Sequence, residues 1–238
     1  MWQARVDLSA ALRWAVRYGL HEGVCNHFSL ALAEMDGRFL VNPQGLHWSE
    51  VTASDIVLAD LDGRVVEGRH AVEPTAFFIH ARIHRNKPVA RCALHTHMPY
   101  ATALTSLENG RLEPVSQNAL RFLGRIAYDD EYNGLALDAA EGDRMSAKLG
   151  DADVLFLANH GVIVTGSDVA TAFDDMYYLE RACMVQVLAQ STGARLKHVP
   201  EPVADLTRRQ MAQEDQQSVL HFAALKRILD REEPDYAE

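Results

Sequence analysis

Between Phe28 and Val66 the chain is a succession of short apolar runs, each closed by a tight polar turn, and runs that short find backbone partners most simply in an antiparallel sheet. The runs are Phe28 to Ala33, Phe39 to Asn42, Ile56 to Asp60 and Val65-Val66, with turns at Met35-Asp36-Gly37-Arg38 and Asp62-Gly63-Arg64. On either side the period becomes helical. Leu8, Leu12, Ala15, Val16 and Leu20 predict a helix from Asp7 to Leu20, with Asp7 or Ser9 as its cap. After Pro74 the pattern predicts a helix to about Asn86, a strand Ala90 to His95, a helix Pro99 to Leu107, a strand Val154 to Ala158 and a long helix Asp168 to Ser191. Helices around a mainly antiparallel sheet make an α/β sandwich. No linker divides the chain, so one domain is expected over residues 1–200, with 201–238 as a charged, helix-prone tail.

Composition narrows the function classes. With 238 residues, 48% of them hydrophobic, the chain can bury a sizeable core, and no apolar run reaches the roughly 18 residues of a membrane span. The polar start is unlike a secretory signal, so a cytoplasmic protein without a membrane partner is expected. Lys and Arg total 23 against 33 Asp and Glu, a formal charge of −10 that repels nucleic acid. Three scattered cysteines, Cys25, Cys92 and Cys183, suggest neither a disulfide framework nor a cysteine-based zinc site.

The 11 histidines are the chemically loaded residues. His95 and His97 end an apolar strand, where residues two apart point to the same side. Both rings then face one pocket, and His160 in Asn159-His160-Gly161, at the end of another apolar strand and before a glycine that lets the backbone pass closely, can complete three ligands. The spacing alone leaves a metal site and a group of structural histidines both open. His80 and His84, four apart on a helix, lack the glutamate of the helical zinc motif and read as structural. His21, His47, His70, His198 and His221 read as surface or packing residues, and His27 and Ser29 as turn chemistry.

The order of motifs resembles the class II aldolase and adducin N-terminal domain family. Asn26-His27-Phe28-Ser29, Asn42-Pro43, Thr52-Ala53-Ser54-Asp55-Ile56-Val57, His80-Ala81-Arg82-Ile83-His84-Arg85, His95-Thr96-His97, Asn159-His160-Gly161 and Tyr178-Leu179-Glu180 carry it, from about Val6 to about Gly193. The resemblance implies a single three-layer α/β/α domain, usually a homotetramer, acting on a small molecule. It also implies a divalent ion, typically zinc and sometimes manganese, cobalt or iron, held by His95, His97 and His160.

Departures from the family pattern shape the expected chemistry. Where phosphate-using members carry Ser-Ser-Glu, this chain has Pro74, Thr75 and Ala76, so the usual acid/base glutamate is absent and Glu73 lies three places upstream. The phosphate-binding Gly-Asn is Cys25-Asn26, and no tyrosine stands near Pro114 to Asn118. The pattern is closer to the adducin-like bacterial branch. It implies a metal-dependent lyase that decarboxylates or retro-aldol cleaves an oxygenated carbonyl or hydroxy-acid substrate. Glu73 is the candidate acid/base, against a simple helix-start charge, and Asn26 the candidate substrate contact, against a turn residue. Asn159 could orient a ligand or cap a turn, the polar run Tyr128 to Tyr132 reads as a solvated loop, and Glu180 and Arg181 as helix surface or subunit contacts. Family active sites lie between subunits, so Tyr236 of the tail is a candidate to reach a neighbour's site. The alternatives are a non-catalytic adducin-head-like assembly module and a sugar epimerase.

Overall fold

A computed structural model describes residues 1–35, 37–214 and 216–238; Asp36, in the first expected turn, lies outside them. Helix α1 (Trp2–Arg17) leads into a meander of β1 (His27–Ala31), β2 (Arg38–Val41), β3 (Val57–Asp60) and β4 (Val65–Glu67). There follow α2 (Pro74–Asn86), β5 (Cys92–Thr96), α3 (Pro99–Thr105), the short α4 (Gln117–Leu120), β6 (Ile126–Asp129), α5 (Ala139–Leu149), β7 (Val154–Leu157), β8 (Gly161–Gly166) and α6 (Val169–Gln190). Helices α7 (Glu201–Met211) and α8 (Gln217–Glu232) close the chain.

The strands form one sheet in the order β4-β3-β2-β1-β5-β8-β7-β6. Of its neighbouring pairs, β6 with β7 is parallel and the others are antiparallel. Alternation of side chains sorts the residues onto two faces. Phe28 and Leu30 of β1, Cys92 and Leu94 of β5 and Val162 and Val164 of β8 join the main core with Leu8 and Leu12 of α1, Phe173 and Met176 of α6 and Phe222 and Leu225 of α8. On the opposite face Ala93 and Ile163 meet Ile79 and Ile83 of α2 and Met145 and Leu149 of α5. The domain is therefore a three-layer α/β/α sandwich, as expected.

Several local readings change. Helix α1 begins at Trp2, five residues early, because Val6 already belongs to its buried stripe. Asp7 and Ser9 are interior rather than caps: Asp7 accepts from Lys226 Nζ at 2.6 Å, and buried Ser9 donates to the Val51 carbonyl at 2.9 Å. Tyr128 and Asp129 are not loop residues but belong to β6, and Asp129, 1% exposed, pairs with Arg144 of α5 at 2.6 Å. The segment after residue 200 folds back onto α1. Trp14 Nε1 donates to the Leu225 carbonyl at 3.0 Å, and Arg13 pairs with Glu233 at 3.0 Å and Asp235 at 2.7 Å. Tyr236 is buried in this same core and donates its hydroxyl to Asp230 at 2.8 Å, so its own chain holds the group expected to reach a neighbour. Among the described residues no helix is long and apolar enough to cross a membrane.

Candidate metal centre

Strand β5 delivers His95 to the sheet's end, and the chain leaves through His97 into α3, whose Pro99 needs no amide donor at the first helical turn. Glu180 of α6 accepts from the backbone N–H groups of Tyr100 at 2.8 Å and Ala101 at 2.9 Å, fixing where α3 starts. Glu180 is buried rather than at the helix surface, one of the two places expected for it, and burial pushes its carboxyl above the ordinary range. Because β8 runs antiparallel to β5 and begins at Gly161, His160 arrives at the same end of the sheet. A Cβ at Gly161 would stand 2.6 Å from the Thr96 carbonyl oxygen and 2.8 Å from His97 Cδ2. Glycine is required there so that β8 can pass His97.

The three rings converge. His95 and His97 approach Nε2 to Nε2 at 3.2 Å, the His160 ring lies 4.8 Å from each of theirs, and one ligand atom from each of the three falls within 4.8 Å of the others. The far side of two rings is committed to acceptors: His95 Nδ1 donates to the Val162 carbonyl at 3.0 Å, and His97 Nδ1 donates to the Glu22 carboxylate. With the proton held on Nδ1, the Nε2 lone pair of each is directed at the shared point. Burial, then the neighbouring rings, pushes His95 well below the usual histidine range, and burial followed by His97 lowers His160 to about 4, so these two imidazoles are neutral near pH 7. Converging imidazole nitrogens backed by a carboxylate and a carbonyl suit a divalent transition ion.

Asn26 sits against this cluster in the left-handed region, φ 73, which asparagine tolerates. Its Oδ1 accepts from the His97 backbone N–H at 3.3 Å, while its Nδ2, in a residue only 6% exposed, has no hydrogen-bond partner among the described residues. That leaves a donor beside the histidines. Glu73 is the N-cap of α2; its Oε2 accepts from Ala76 N–H at 2.9 Å and from the Thr75 hydroxyl, and stands 3.9 Å from His27 Nε2. Ala76, where the family glutamate would be, is buried in apolar contacts. Asn159 also adopts a left-handed backbone, φ 56, and its N–H donates to the Thr105 carbonyl at 3.0 Å.

Three neighbours were not placed at the centre by the sequence: His27 reads there as turn chemistry, Tyr132 as part of a solvated loop, and Glu22 carries no signal. His27 lies directly opposite His95 across β1 and β5, their rings 4.8 Å apart. The alternation of polar His27 and Ser29 with apolar Phe28 and Leu30 was the signal available for it. Glu22, 75 residues from His97, and Tyr132, whose ring is 6.2 Å from that of His160, come from loops with no periodic signature. His80 and His84 are taken up in hydrogen bonds with His27, Ser29 and the Ala90 carbonyl. His21 and His47 meet each other, Nε2 to Nε2, at 3.1 Å.

Comparison with known proteins bears on the sequence and the fold. The family model described as Class II Aldolase and Adducin N-terminal domain matches residues 6–187. A Caulobacter vibrioides protein named for the class 2 aldolases is 35% identical over 240 residues, covering 100% of this chain and 93% of its own. The crystal structure of an aldolase II superfamily protein from Pseudomonas syringae superposes with a TM-score of 0.93 at 35% identity, covering 100% of this chain and 96% of that one. L-fuculose 1-phosphate aldolase from Glaciozyma antarctica PI12 has a TM-score of 0.88 at 25% identity, over 100% and 92%. In sequence and fold, the chain belongs to the class II aldolase and adducin N-terminal domain family.

Proposed function

We propose that this protein is a divalent-metal-dependent lyase that breaks a carbon–carbon bond of a small hydroxylated carbonyl or hydroxy-acid substrate, by decarboxylation in preference to retro-aldol cleavage. The observation that carries it is the convergence of His95, His97 and His160, with Glu22 and Val162 fixing two of the rings, beside the poorly satisfied Asn26 amide. When bound there, a divalent ion, zinc first and manganese, cobalt or iron as alternatives, supplies a Lewis acid for the negative charge that builds on a carbonyl oxygen as the bond breaks. Asn26 Nδ2 donates to a substrate oxygen and orients it. The neutral imidazoles leave the ion's positive charge in place, so an anionic chelating substrate is drawn in despite the overall charge of −10.

Pro74, Thr75 and Ala76 leave one hydroxyl and no carboxylate where the family places two serines and a glutamate, which favours an unphosphorylated substrate and a reaction needing a proton donor but no hydroxyl-directed base. Glu73 is the proposed donor. Its Oε2 caps α2, and its Oε1 makes no hydrogen bond among the described residues. Assembly as a homotetramer is part of the proposal. A non-catalytic, adducin-head-like module is the competing reading, favoured by Ala76.

Elemental analysis of the purified protein beside His97→Ala separates the two. About one divalent ion per chain, lost in the variant, is expected, followed by a screen of hydroxylated aromatic acids and hydroxy-keto acids. No metal in either protein, even after incubation with zinc, manganese or iron(II), overturns the lyase reading.

A further inference from the structure

Behind His95 the layer between sheet and α2 is crossed by a buried hydrogen-bonded row. His27 Nδ1 lies 2.7 Å from His80 Nε2, His80 Nδ1 lies 2.5 Å from Ser29 Oγ, Ser29 Oγ lies 2.7 Å from His84 Nε2, and His84 Nδ1 lies 3.2 Å from the Ala90 carbonyl oxygen. All four side chains are buried. Among the described residues no carboxylate hydrogen-bonds any of the three rings, and an unpaired charge buried there would be costly, so each ring carries a single proton.

One proton per ring makes the row directional, and its inner end decides the direction. A carbonyl oxygen only accepts, so His84 Nδ1 holds the proton and His84 Nε2 is bare. Ser29 must then donate to His84 and accept from His80 Nδ1. His80 Nε2 is bare in turn and accepts from His27 Nδ1. The last ring is left with its proton on Nδ1 and an unprotonated Nε2. The reverse order would set a bare His84 nitrogen against the carbonyl lone pairs at 3.2 Å inside the core. Among the described residues its return would be a 3.4 Å contact from His27 Nε2 to Thr75 Oγ1, whose own proton goes to Glu73, while the Glu73 Oε2 at 3.9 Å is beyond hydrogen-bond reach.

That bare nitrogen belongs to the ring packed on His95, and it borders Thr75 and the half-exposed Glu73. We propose that His27 Nε2 is the hydrogen-bond acceptor for a substrate hydroxyl at the histidine centre, and that His80, Ser29 and His84 are positioning residues that keep the proton off it. The proposal rests on the lyase reading and deepens it. Such an acceptor selects a ligand with an O–H beside its chelating oxygen over the corresponding ether, because an ether oxygen would bring lone pairs against a lone pair.

Two measurements test this. In protein labelled with 15N-histidine, long-range correlation spectra are expected to report His27, His80 and His84 as Nδ1–H tautomers, and Ser29→Ala to release His27 from that form. In cobalt(II)-loaded protein, visible-absorption titrations with glycolate and methoxyacetate give affinities without turnover. His27→Phe is expected to weaken glycolate about tenfold, the scale of one hydrogen bond, and to leave methoxyacetate unchanged. His27→Gln, whose amide oxygen also accepts, is expected to recover part of the loss. An Nε2–H tautomer at His27, or equal glycolate affinity in His27→Phe at unchanged cobalt content, overturns the proposal. Failure of the wild-type protein to take up cobalt instead overturns the metal reading beneath it.

Discussion

The missing side chain at Gly161 lets the two halves of the histidine centre come closer than a methyl group would allow. In Gly161→Ala the new Cβ meets the Thr96 carbonyl and the His97 ring, and backbone on one side cannot yield, so His97 must move. Zinc affinity, measured by competition with a chromophoric chelator, is expected to fall by about 10- to 100-fold, as when an outer partner of a metal ligand is lost. Glu22→Gln tests the same ring from its other nitrogen. An amide holds Nδ1–H more weakly than a carboxylate, and a drop of similar size is expected while the thermal stability of the metal-free protein stays within about 0.5 kcal/mol, the usual range for an exposed substitution. His95 and His97 were legible because the period of a strand fixes the relation of residues two apart. Glu22 was not, since a contact across 75 residues of loop, helix and strand follows no period.

At the scale of elements, agreement was closest where local chemistry dictates a boundary. Helix α2 runs from Pro74 to Asn86 as read, since Pro sets the first helical turn and Glu73 supplies the cap. Strand β6 was missed because its polar Asp129 breaks the apolar pattern, and only the fold reveals Arg144 and Lys148 against it. Glu180 was misread for a related reason: a charge on a long helix looks solvated until another helix ends on it. Since its carboxylate closes two N–H groups of α3, Glu180→Ala is expected to cost about 1–3 kcal/mol by urea unfolding, the penalty for stranding buried donors. It is also expected to lower zinc affinity, because α3 begins just after His97. Equal metal affinity in a destabilised variant would separate α3 from the centre.

For the molecule as a whole, the layer between sheet and α2 is the unusual one. Its apolar contacts fall into two separate clusters, one around Ile79, Ile83 and Ile163 and one around Phe39, Val57 and Ala81, while His27, Ser29, His80 and His84 lie buried in the same layer. A polar row in that place makes the fold sensitive to acid. The buried rings are neutral in the folded chain and titrate near 6.5 once unfolded, so below that pH the unfolded state binds more protons and stability falls. The contribution is fully present above about pH 6.5 and is lost progressively as pH drops toward the folded values, about 4 for His84 and about 3 for His27. Between pH 6.5 and 5 each such ring removes on the order of 2 kcal/mol, so the metal-stripped protein is expected to lose several kcal/mol in urea melts over that interval. His84→Gln, which removes one titrating ring and keeps an acceptor for Ser29, is expected to start less stable at pH 7 and to show a shallower decline. A wild-type midpoint that stays flat from pH 7 to 5 would mean that the row is charged or open to water in the folded chain, and the directional hydrogen bonds that leave His27 Nε2 bare would fall with it.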